Sequence, residues 1–396
     1  MRNVYIFTAL WTLDTFIPRR GVNATYALGD LTVDERYQLL ARVAEHAWAH
    51  LAREMLNNLD VIFRQNAAWM FLFVAPEYYF SRSGTEHQIS EAEKRLVVSR
   101  LAALSGHYTN LILVPGSIAW KKPVDRPLSE IRKKAKNGSR TGPPKAKTRL
   151  EKFEAQAKRS YINEAALIDH AIDREIKEIL DDPHQKLSEK KRVASSEYRG
   201  ERRHALLKQA KDKYEHATET MKKNVESDLA RCYVARNTAY AFYGGSEVAR
   251  YHKRNNFYEV RGDESDEGFV IFEPGGGPDG KGDLFTIDGV TFGIEVCYDH
   301  TVGHMSQLTA NRPNVQIVMS AAVKIVNEHV TVPKDGYLVH ASSEADGTAA
   351  YWNSGKKISE IQMTEQQAER GLLRYAILRF EMEEPLTIEE WISNNK

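Results

Sequence analysis

Two apolar periodicities alternate along the first 120 residues, and this alternation restricts the fold more than any other feature of the sequence. Short runs rich in β-branched and aromatic residues are typical of buried strands. They occur at residues 3–10, 69–75 and 111–118. Between them, apolar residues at helical spacing predict helices over 33–59 and 90–104, and Ser90 with Glu93 forms a capping-box pattern at the second. This order of elements predicts an α/β domain whose sheet is largely covered.

A long interruption of this alternation follows. Residues 121–149 combine several prolines and glycines with many lysines and arginines, which predicts a basic loop. Apolar stripes at a spacing of three or four residues then run over 150–180 and 206–229, and Asp181-Asp182-Pro183 lies between them. Two long helical segments with such a break predict an antiparallel hairpin. The predicted division is a domain of residues 1–120 and 231–396 with an insertion at 121–230.

Strand-like patterns return after the insertion. Gly244-Gly245 and Asp288-Gly289 each separate two such patterns, which predicts hairpin turns. The predicted strands lie at residues 233–243, 247–251, 268–272, 283–287, 290–296, 315–320, 337–341 and 372–380.

The composition allows a large hydrophobic core, because 42% of the 396 residues are hydrophobic. The net charge is only +1, but residues 121–230 carry 28 basic and 19 acidic side chains, so the excess positive charge lies in the insertion. No apolar run reaches the ~20 residues that a membrane-spanning helix needs. The N-terminal apolar run is followed by Asp14 rather than by a small-residue cleavage site, which favours a buried strand over a signal peptide.

Two cysteines, Cys232 and Cys297, occur in the chain. Two thiols are too few for a disulfide framework or a zinc-ligand cluster. The sequence therefore predicts a cytoplasmic protein without a structural metal, and we interpret Cys232 as a structural residue.

Three segments carry residues capable of chemistry at a predicted strand end. They are FLFVAPEYYF with Glu77, ARYHKRNNFYE with Lys253, and GVTFGIEVCYDH with Cys297. Each has an ordinary interpretation when taken alone, namely a rim carboxylate in an ion pair, a surface basic cluster and an inert buried thiol. From the residues alone, desolvation at its strand end would favour Glu77 as a general base, and a thiol becomes reactive when a base or cation is near it.

In this order, the three segments resemble the nitrilase or carbon–nitrogen hydrolase superfamily. The similar pieces are VAPEYYF, LVPGSIA, ARNTAYAFYGGSEVARYHKRNNF, FEPG and LFTIDGVTFGIEVCYDH, which together extend over most of residues 1–120 and 231–385. The resemblance implies an αββα sandwich and a catalytic set of Glu77, Lys253 and Cys297. It implies no metal or other cofactor, and we also expect a homo-oligomer.

The resemblance further implies hydrolysis of a linear, non-peptide carbon–nitrogen bond through a thioester on Cys297. Glu77 would take the thiol proton, and the Lys253 ammonium would favour the thiolate and, with the backbone N–H of Tyr298, hold the resulting anion. An amide or N-carbamoyl substrate is expected, and a nitrilase or an acyl-transfer variant is the alternative within the same chemistry. A different class of protein, a catalytically idle relative that acts as an interaction module, also remains open.

Further site residues are predicted around this set. A second, supporting glutamate is expected among Glu259, Glu264 and Glu267, and Glu264 is our choice. Tyr78, Tyr298 and His300 are expected to contact the substrate, although His300 could instead cap the turn that follows the nucleophile. The arginine that many relatives carry shortly after the cysteine is absent, and Trp120 stands where an acidic residue is common, so the substrate is expected to be unusual.

The insertion permits three interpretations. It is a spacer or oligomerisation arm, a lid over the active site, or a contact for phosphates or a membrane surface. The third rests on a basic cluster that consists of Arg132, Lys133, Lys134, Lys136, Arg140, Lys145, Lys147 and Arg149. Because aromatic side chains for base stacking are not interleaved with these residues, nucleic-acid binding is not expected.

Overall fold

The computed structural model describes residues 2–15, 28, 31–82, 88–123, 145–230, 233–255, 270–275, 283–307 and 312–382. The described residues form two compact units, one from those before 143 and after 232, and one from residues 145–230. The helices are α1 (Val33–Asn57), α2 (Leu59–Arg64), α3 (Glu91–Gly106), α4 (Lys145–Asp181), α5 (Leu187–Val193), α6 (Ser196–Ala230) and α7 (Tyr298–Thr301). The strands are β1 (Arg2–Thr12), β2 (Ala68–Val74), β3 (Ile89–Ser90), β4 (Leu111–Val114), β5 (Ser117–Pro123), β6 (Tyr233–Tyr243), β7 (Ser246–His252), β8 (Val270–Phe272), β9 (Leu284–Ile287), β10 (Val290–Val296), β11 (Val315–Ser320), β12 (Tyr337–Ser342), β13 (Ala349–Asn353), β14 (Ile358–Glu360), β15 (Thr364–Gln367) and β16 (Leu372–Met382).

The first unit contains two sheets within its described residues. The first sheet has the order β15-β16-β1-β2-β4-β6-β5-β3, with β7 and β8 paired to β6. Its neighbours β1, β2 and β4 are parallel, which requires crossover connections, and α1 supplies one of them. The second sheet has the order β14-β13-β12-β11-β10-β9, and β10, β11 and β12 are parallel.

The two sheets pack face to face. One apolar cluster combines Leu72 of the first sheet with Ile294 and Ile317 of the second, all fully buried. A second cluster lies between the first sheet and helices α1 and α3, where Leu40 and Leu101 pack with buried residues of β2. Full burial of such side chains stabilises the fold by about 1.5–3 kcal/mol each.

Buried polar side chains lie on the other face of the second sheet. Glu295, Gln316 and His340 are buried there, and the segment that follows α7 closes over them through the Met305 N–H, which donates to Glu295 Oε1 at 2.6 Å. In the described residues, short α7 and 3₁₀ turns form this outer layer. The predicted αββα arrangement is thereby confirmed, with a reduced second helical layer.

The second unit is a helical hairpin with its own small core. Ion pairs join Arg203 to Asp169 and Lys213 to Glu164, so α4 and α6 run antiparallel as the sequence predicts. The core residues are Ile168, Ile172, Ile176 and Val193. Helix α4 ends at Asp181, before Pro183, because proline cannot continue a helix.

Several predictions differ from the structure. The strand predicted over 111–118 is two strands, β4 and β5, since Pro115 and Gly116 form a turn between them. Four short strands, β3, β13, β14 and β15, were not predicted, because strands of two to five residues are too short to show a clear period. The basic residues predicted between 132 and 140 lie outside the described residues. No helix in the described part of the chain is both long and apolar enough to cross a bilayer.

Candidate functional site

Glu77 lies in the loop after β2 and is completely buried. Thr15 Oγ1 donates to the backbone carbonyl of Glu77 at 2.5 Å, and the Tyr78 N–H donates to Ser117 Oγ at 2.9 Å. Gly116 allows this loop to lie against the β4–β5 turn, because a Cβ at that position would meet Pro76 O at 2.2 Å and its φ is +78°. These contacts hold the carboxylate at the end of the strand.

Lys253 follows β7 and has a fully buried side chain. Its Nζ lies 2.9 Å from Glu77 Oε1, and its backbone N–H donates to Asn237 O at 2.8 Å. Asn237 and Lys253 are cross-strand neighbours, and the Asn237 Nδ2 also donates to Glu77 Oε1, at 2.9 Å. The carboxylate is thereby held by an ammonium and an amide on one oxygen.

Cys297 follows β10 and lies in a left-handed backbone conformation, with φ of +53° and ψ of −111°. Non-glycine residues rarely adopt this region, and strained residues of this kind cluster at functional sites. The Cys297 N–H donates to Met319 O at 2.8 Å, which ties the cysteine to β11. The Glu77 carboxylate lies beside the same strand end, because its Oε2 accepts from the Ala321 N–H at 3.1 Å.

The electrostatic environment opposes ionisation of the Cys297 thiol. Burial and the charge of Glu77 raise the pKa of Cys297 well above its ordinary value, whereas Lys253 and the Ala321 backbone act in the opposite direction. Lys253 therefore lowers the pKa of Cys297, as expected, but its effect is smaller than the combined effects of burial and Glu77.

Asp299 connects the turn after Cys297 to the segment after Lys253. Its carboxylate is completely buried and accepts hydrogen bonds from Tyr251 Oη at 2.5 Å and from the N–H groups of Arg254 and Asn255 at 2.8 Å each. The Asn255 side chain adds a further bond at 2.8 Å. Burial raises the pKa of Asp299, and the Lys253 charge opposes this shift.

The structure brings together three of the four predicted catalytic residues, Glu77, Lys253 and Cys297. Glu264 lies outside the described residues, as do its two alternatives. Tyr78 is close to the set, with its ring centroid 5.7 Å from Lys253 Nζ.

Tyr298 and His300 follow the nucleophile directly, but they have different environments. Tyr298 is half-buried. His300 is fully buried, its Nδ1 lies 2.9 Å from Glu295 Oε2, and its Nε2 accepts from the Val326 N–H at 3.1 Å. Both ring nitrogens of His300 thus have partners within the protein, which favours the alternative that His300 caps the turn after the nucleophile.

Three contacts of this site were not predicted, namely those of Asn237, Ala321 and Asp299. Asn237 lies in the ARNTAY piece quoted above, but only its place opposite Lys253 shows its importance. The Ala321 N–H donates to Glu77 Oε2 at 3.1 Å, and Ala321 follows β11 of the other sheet. No local pattern marks such a residue, since its contribution is a backbone group.

Trp120, which was expected near the pocket, faces the helical layer. Its Nε1 donates to Thr238 Oγ1 at 2.9 Å, and Lys94 Nζ lies 4.2 Å from the centroid of its ring. Its neighbour Ala119 instead packs with Tyr78 and Ala321. Within the described ranges, no three His, Cys, Asp or Glu side chains are grouped as metal ligands would be.

Comparisons with known proteins give matches in structure alone. No protein-family model matches the chain, and no curated protein matches it in sequence. A crystal structure of a glutamine-dependent NAD(+) synthetase from Cytophaga hutchinsonii is similar with 8% identity and a TM-score of 0.37, over 95% of this chain and 43% of that one. A structure of a glutamine-dependent NAD+ synthetase from Acinetobacter baumannii, in complex with adenosine diphosphate, is similar with 11% identity and a TM-score of 0.35. This match covers 98% of this chain and 49% of that one. The chain thus spans less than half the length of either synthetase.

Proposed function

We propose that this chain is a carbon–nitrogen hydrolase that cleaves an amide or N-carbamoyl group through a thioester on Cys297. One observation carries the proposal: the buried Glu77 carboxylate contacts the Lys253 ammonium at 2.9 Å and lies near enough to Cys297 for its charge to raise the pKa of the thiol. A carboxylate, an ammonium and a thiol are the groups that a base, an anion-stabilising cation and a nucleophile require.

The acylation half of the reaction follows from this arrangement. Glu77 takes the proton of the Cys297 thiol while the sulfur adds to the carbonyl carbon of the substrate. The Lys253 ammonium and the backbone N–H of Tyr298 stabilise the oxyanion. The carbon–nitrogen bond then breaks, the nitrogen receives the proton from Glu77, and ammonia or an amine leaves while the acyl group stays on the sulfur.

The deacylation half uses the same groups with water as the nucleophile. Glu77 takes a proton from water as the oxygen adds to the thioester carbon, and Lys253 again stabilises the oxyanion. The carbon–sulfur bond breaks, and the sulfur regains a proton from Glu77. The products are a carboxylic acid and the free thiol, so every proton taken in one step is returned in another.

A panel of primary amides, N-carbamoyl compounds and nitriles tests this proposal. Incubation of the protein with the panel, followed by rapid acid quench and intact-mass measurement, is expected to detect an acyl adduct and release of ammonia. Peptide mapping should place the adduct on Cys297, with the Cys232 peptide of the same sample as the internal control. Absence of both adduct and ammonia across the panel would support the idle-relative alternative, whereas turnover of nitriles alone would support a nitrilase.

We further propose that the chemistry does not need the insertion, which was predicted at residues 121–230 and whose first three residues belong to β5. Pro123 at the end of β5 pairs with Tyr233 at the start of β6 in an antiparallel ladder, so the two chain ends beside the insertion lie about 5 Å apart. A loop of a few residues can therefore replace the helical unit without strain on the sheet.

Replacement of residues 124–232 by a four-residue Gly-Ser loop is expected to leave kcat within about threefold of the full chain, because the hairpin has its own core. Steady-state rates on the best amide of the panel, together with sedimentation of both proteins, check this. A loss of kcat above tenfold in a folded variant would favour a lid. Unchanged kcat with a smaller assembly would favour an oligomerisation arm.

A further inference from the structure

Asn237 is a fully buried side chain at the centre of the candidate site. In β6, Asn237 pairs with Ala119 of β5 on one side. On the other side, its backbone carbonyl oxygen accepts a hydrogen bond from the Lys253 N–H at 2.8 Å. Its side chain points to the same face as Lys253 and reaches Glu77. Asn237 is thus adjacent to the acid–base group without being one of the three groups named in the proposed mechanism.

The orientation of the Asn237 amide follows from Glu77. An ionised carboxylate only accepts hydrogen bonds, so the group 2.9 Å from Glu77 Oε1 must be Nδ2. The carbonyl oxygen Oδ1 then points elsewhere. Oδ1 is buried and has no hydrogen-bond partner among the described residues.

An unpaired buried acceptor costs about 1–3 kcal/mol, and native structures contain few of them. Oδ1 is joined to Nδ2 through one carbon with bonds of ~1.2 and ~1.3 Å, so it lies within ~5.5 Å of Glu77 Oε1. In the proposed mechanism, the leaving nitrogen must come within hydrogen-bond distance of Glu77 to receive its proton. The acceptor and the departing nitrogen therefore both lie within ~5.5 Å of Glu77 Oε1.

We propose that Asn237 Oδ1 accepts a hydrogen bond from the N–H of the scissile group, and that the site consequently selects substrates whose nitrogen carries hydrogen. This inference rests on the proposed function and narrows it to primary amides and other N–H-bearing groups. A nitrile nitrogen has no hydrogen, and a fully substituted amide has none either. Such substrates would leave Oδ1 unpaired. A site built to hydrogen-bond one group of its substrate rejects analogues that lack this group, because the buried protein atom is then left without a partner.

The alternative is that Asn237 only positions Glu77 through their hydrogen bond, and the experiment must distinguish this role from recognition of the substrate N–H. Both roles would lower kcat, so the test measures binding without chemistry. We choose the best-hydrolysed primary amide of the panel and the methyl ketone with the same acyl chain, in which CH₃ replaces NH₂. Dissociation constants are measured by calorimetry on Cys297→Ala and on Cys297→Ala/Asn237→Ala, where no covalent adduct can form.

Loss of the acceptor is expected to weaken binding of the amide about fivefold to tenfold, the size of one hydrogen bond, and to change binding of the ketone less than twofold. Equal weakening of both compounds, or none for either, overturns the inference. If Asn237→Ala does not fold, Asn237→Thr replaces it, because the Thr side chain is closer in volume to Asn and leaves a smaller cavity. Nitriles hydrolysed in preference to amides would overturn the inference while the hydrolase proposal stands, and a panel without any turnover would end both.

Discussion

Glu77→Gln is expected to lower kcat by about 10³- to 10⁴-fold, the loss typical of a missing general acid–base group. The variant keeps the size and shape of the side chain but cannot take the Cys297 proton or return it to the leaving nitrogen. The same change should make the thiol more acidic, because the Glu77 charge raises the pKa of Cys297 and the Lys253 charge, which opposes it, remains. The variant should therefore be less active and easier to alkylate.

Alkylation by iodoacetamide between pH 6 and 10 measures the second effect. The alkylation rate of the wild type should still rise above pH 9, because the pKa of Cys297 is raised and the thiolate forms only at high pH. The Glu77→Gln curve should shift to lower pH. Glu273→Gln is the matched control, since Glu273 is also buried but pairs with Arg236 at 2.7 Å, and its curve should coincide with that of the wild type. A shift of the Glu77→Gln curve to higher pH, or turnover within tenfold of wild type, would contradict the assigned role.

Asp299→Ala is expected to have the largest effect on stability, about 3–5 kcal/mol. The carboxylate accepts from Tyr251, from the N–H groups of Arg254 and Asn255, and from the Asn255 side chain, so its removal leaves four donors near the site unpaired. Each unpaired buried donor costs about 1–3 kcal/mol. Thermal unfolding should show a midpoint lower by roughly 10 °C.

The control for this variant is Glu328→Ala, which removes an exposed carboxylate and should leave the midpoint within about 2 °C, as surface substitutions usually do. The Asp299 variant should also lose activity at temperatures where it is still folded, because the segment after Lys253 is no longer tied to the turn after Cys297. Unfolding at the wild-type midpoint would show that these hydrogen bonds contribute little.

The sequence predicts most of the elements around the site, because each depends on neighbouring residues. The capping box of α3, with Ser90 and Glu93, forms as predicted, and the Asp288-Gly289 turn joins β9 to β10. The strand ends that carry Glu77 and Cys297 are likewise apparent from short apolar runs. The Ala321 N–H and the unpaired Asn237 oxygen have no such local signal, since they matter only through residues distant in the chain.

The sequence by itself determined that a carboxylate, an ammonium and a thiol would each stand at a strand end, since strand boundaries follow from local patterns of apolar residues. Only the tertiary structure decided that Lys253 rather than His252 faces Glu77. The β6–β7 hairpin starts with Tyr243 opposite Ser246, and an irregularity at Ala241/Phe242 then shifts the register by one residue, so that Thr238 pairs with His252. Without that shift His252 would lie opposite Asn237, and because a one-residue slip moves every side chain to the other face, the ammonium would point away from the carboxylate.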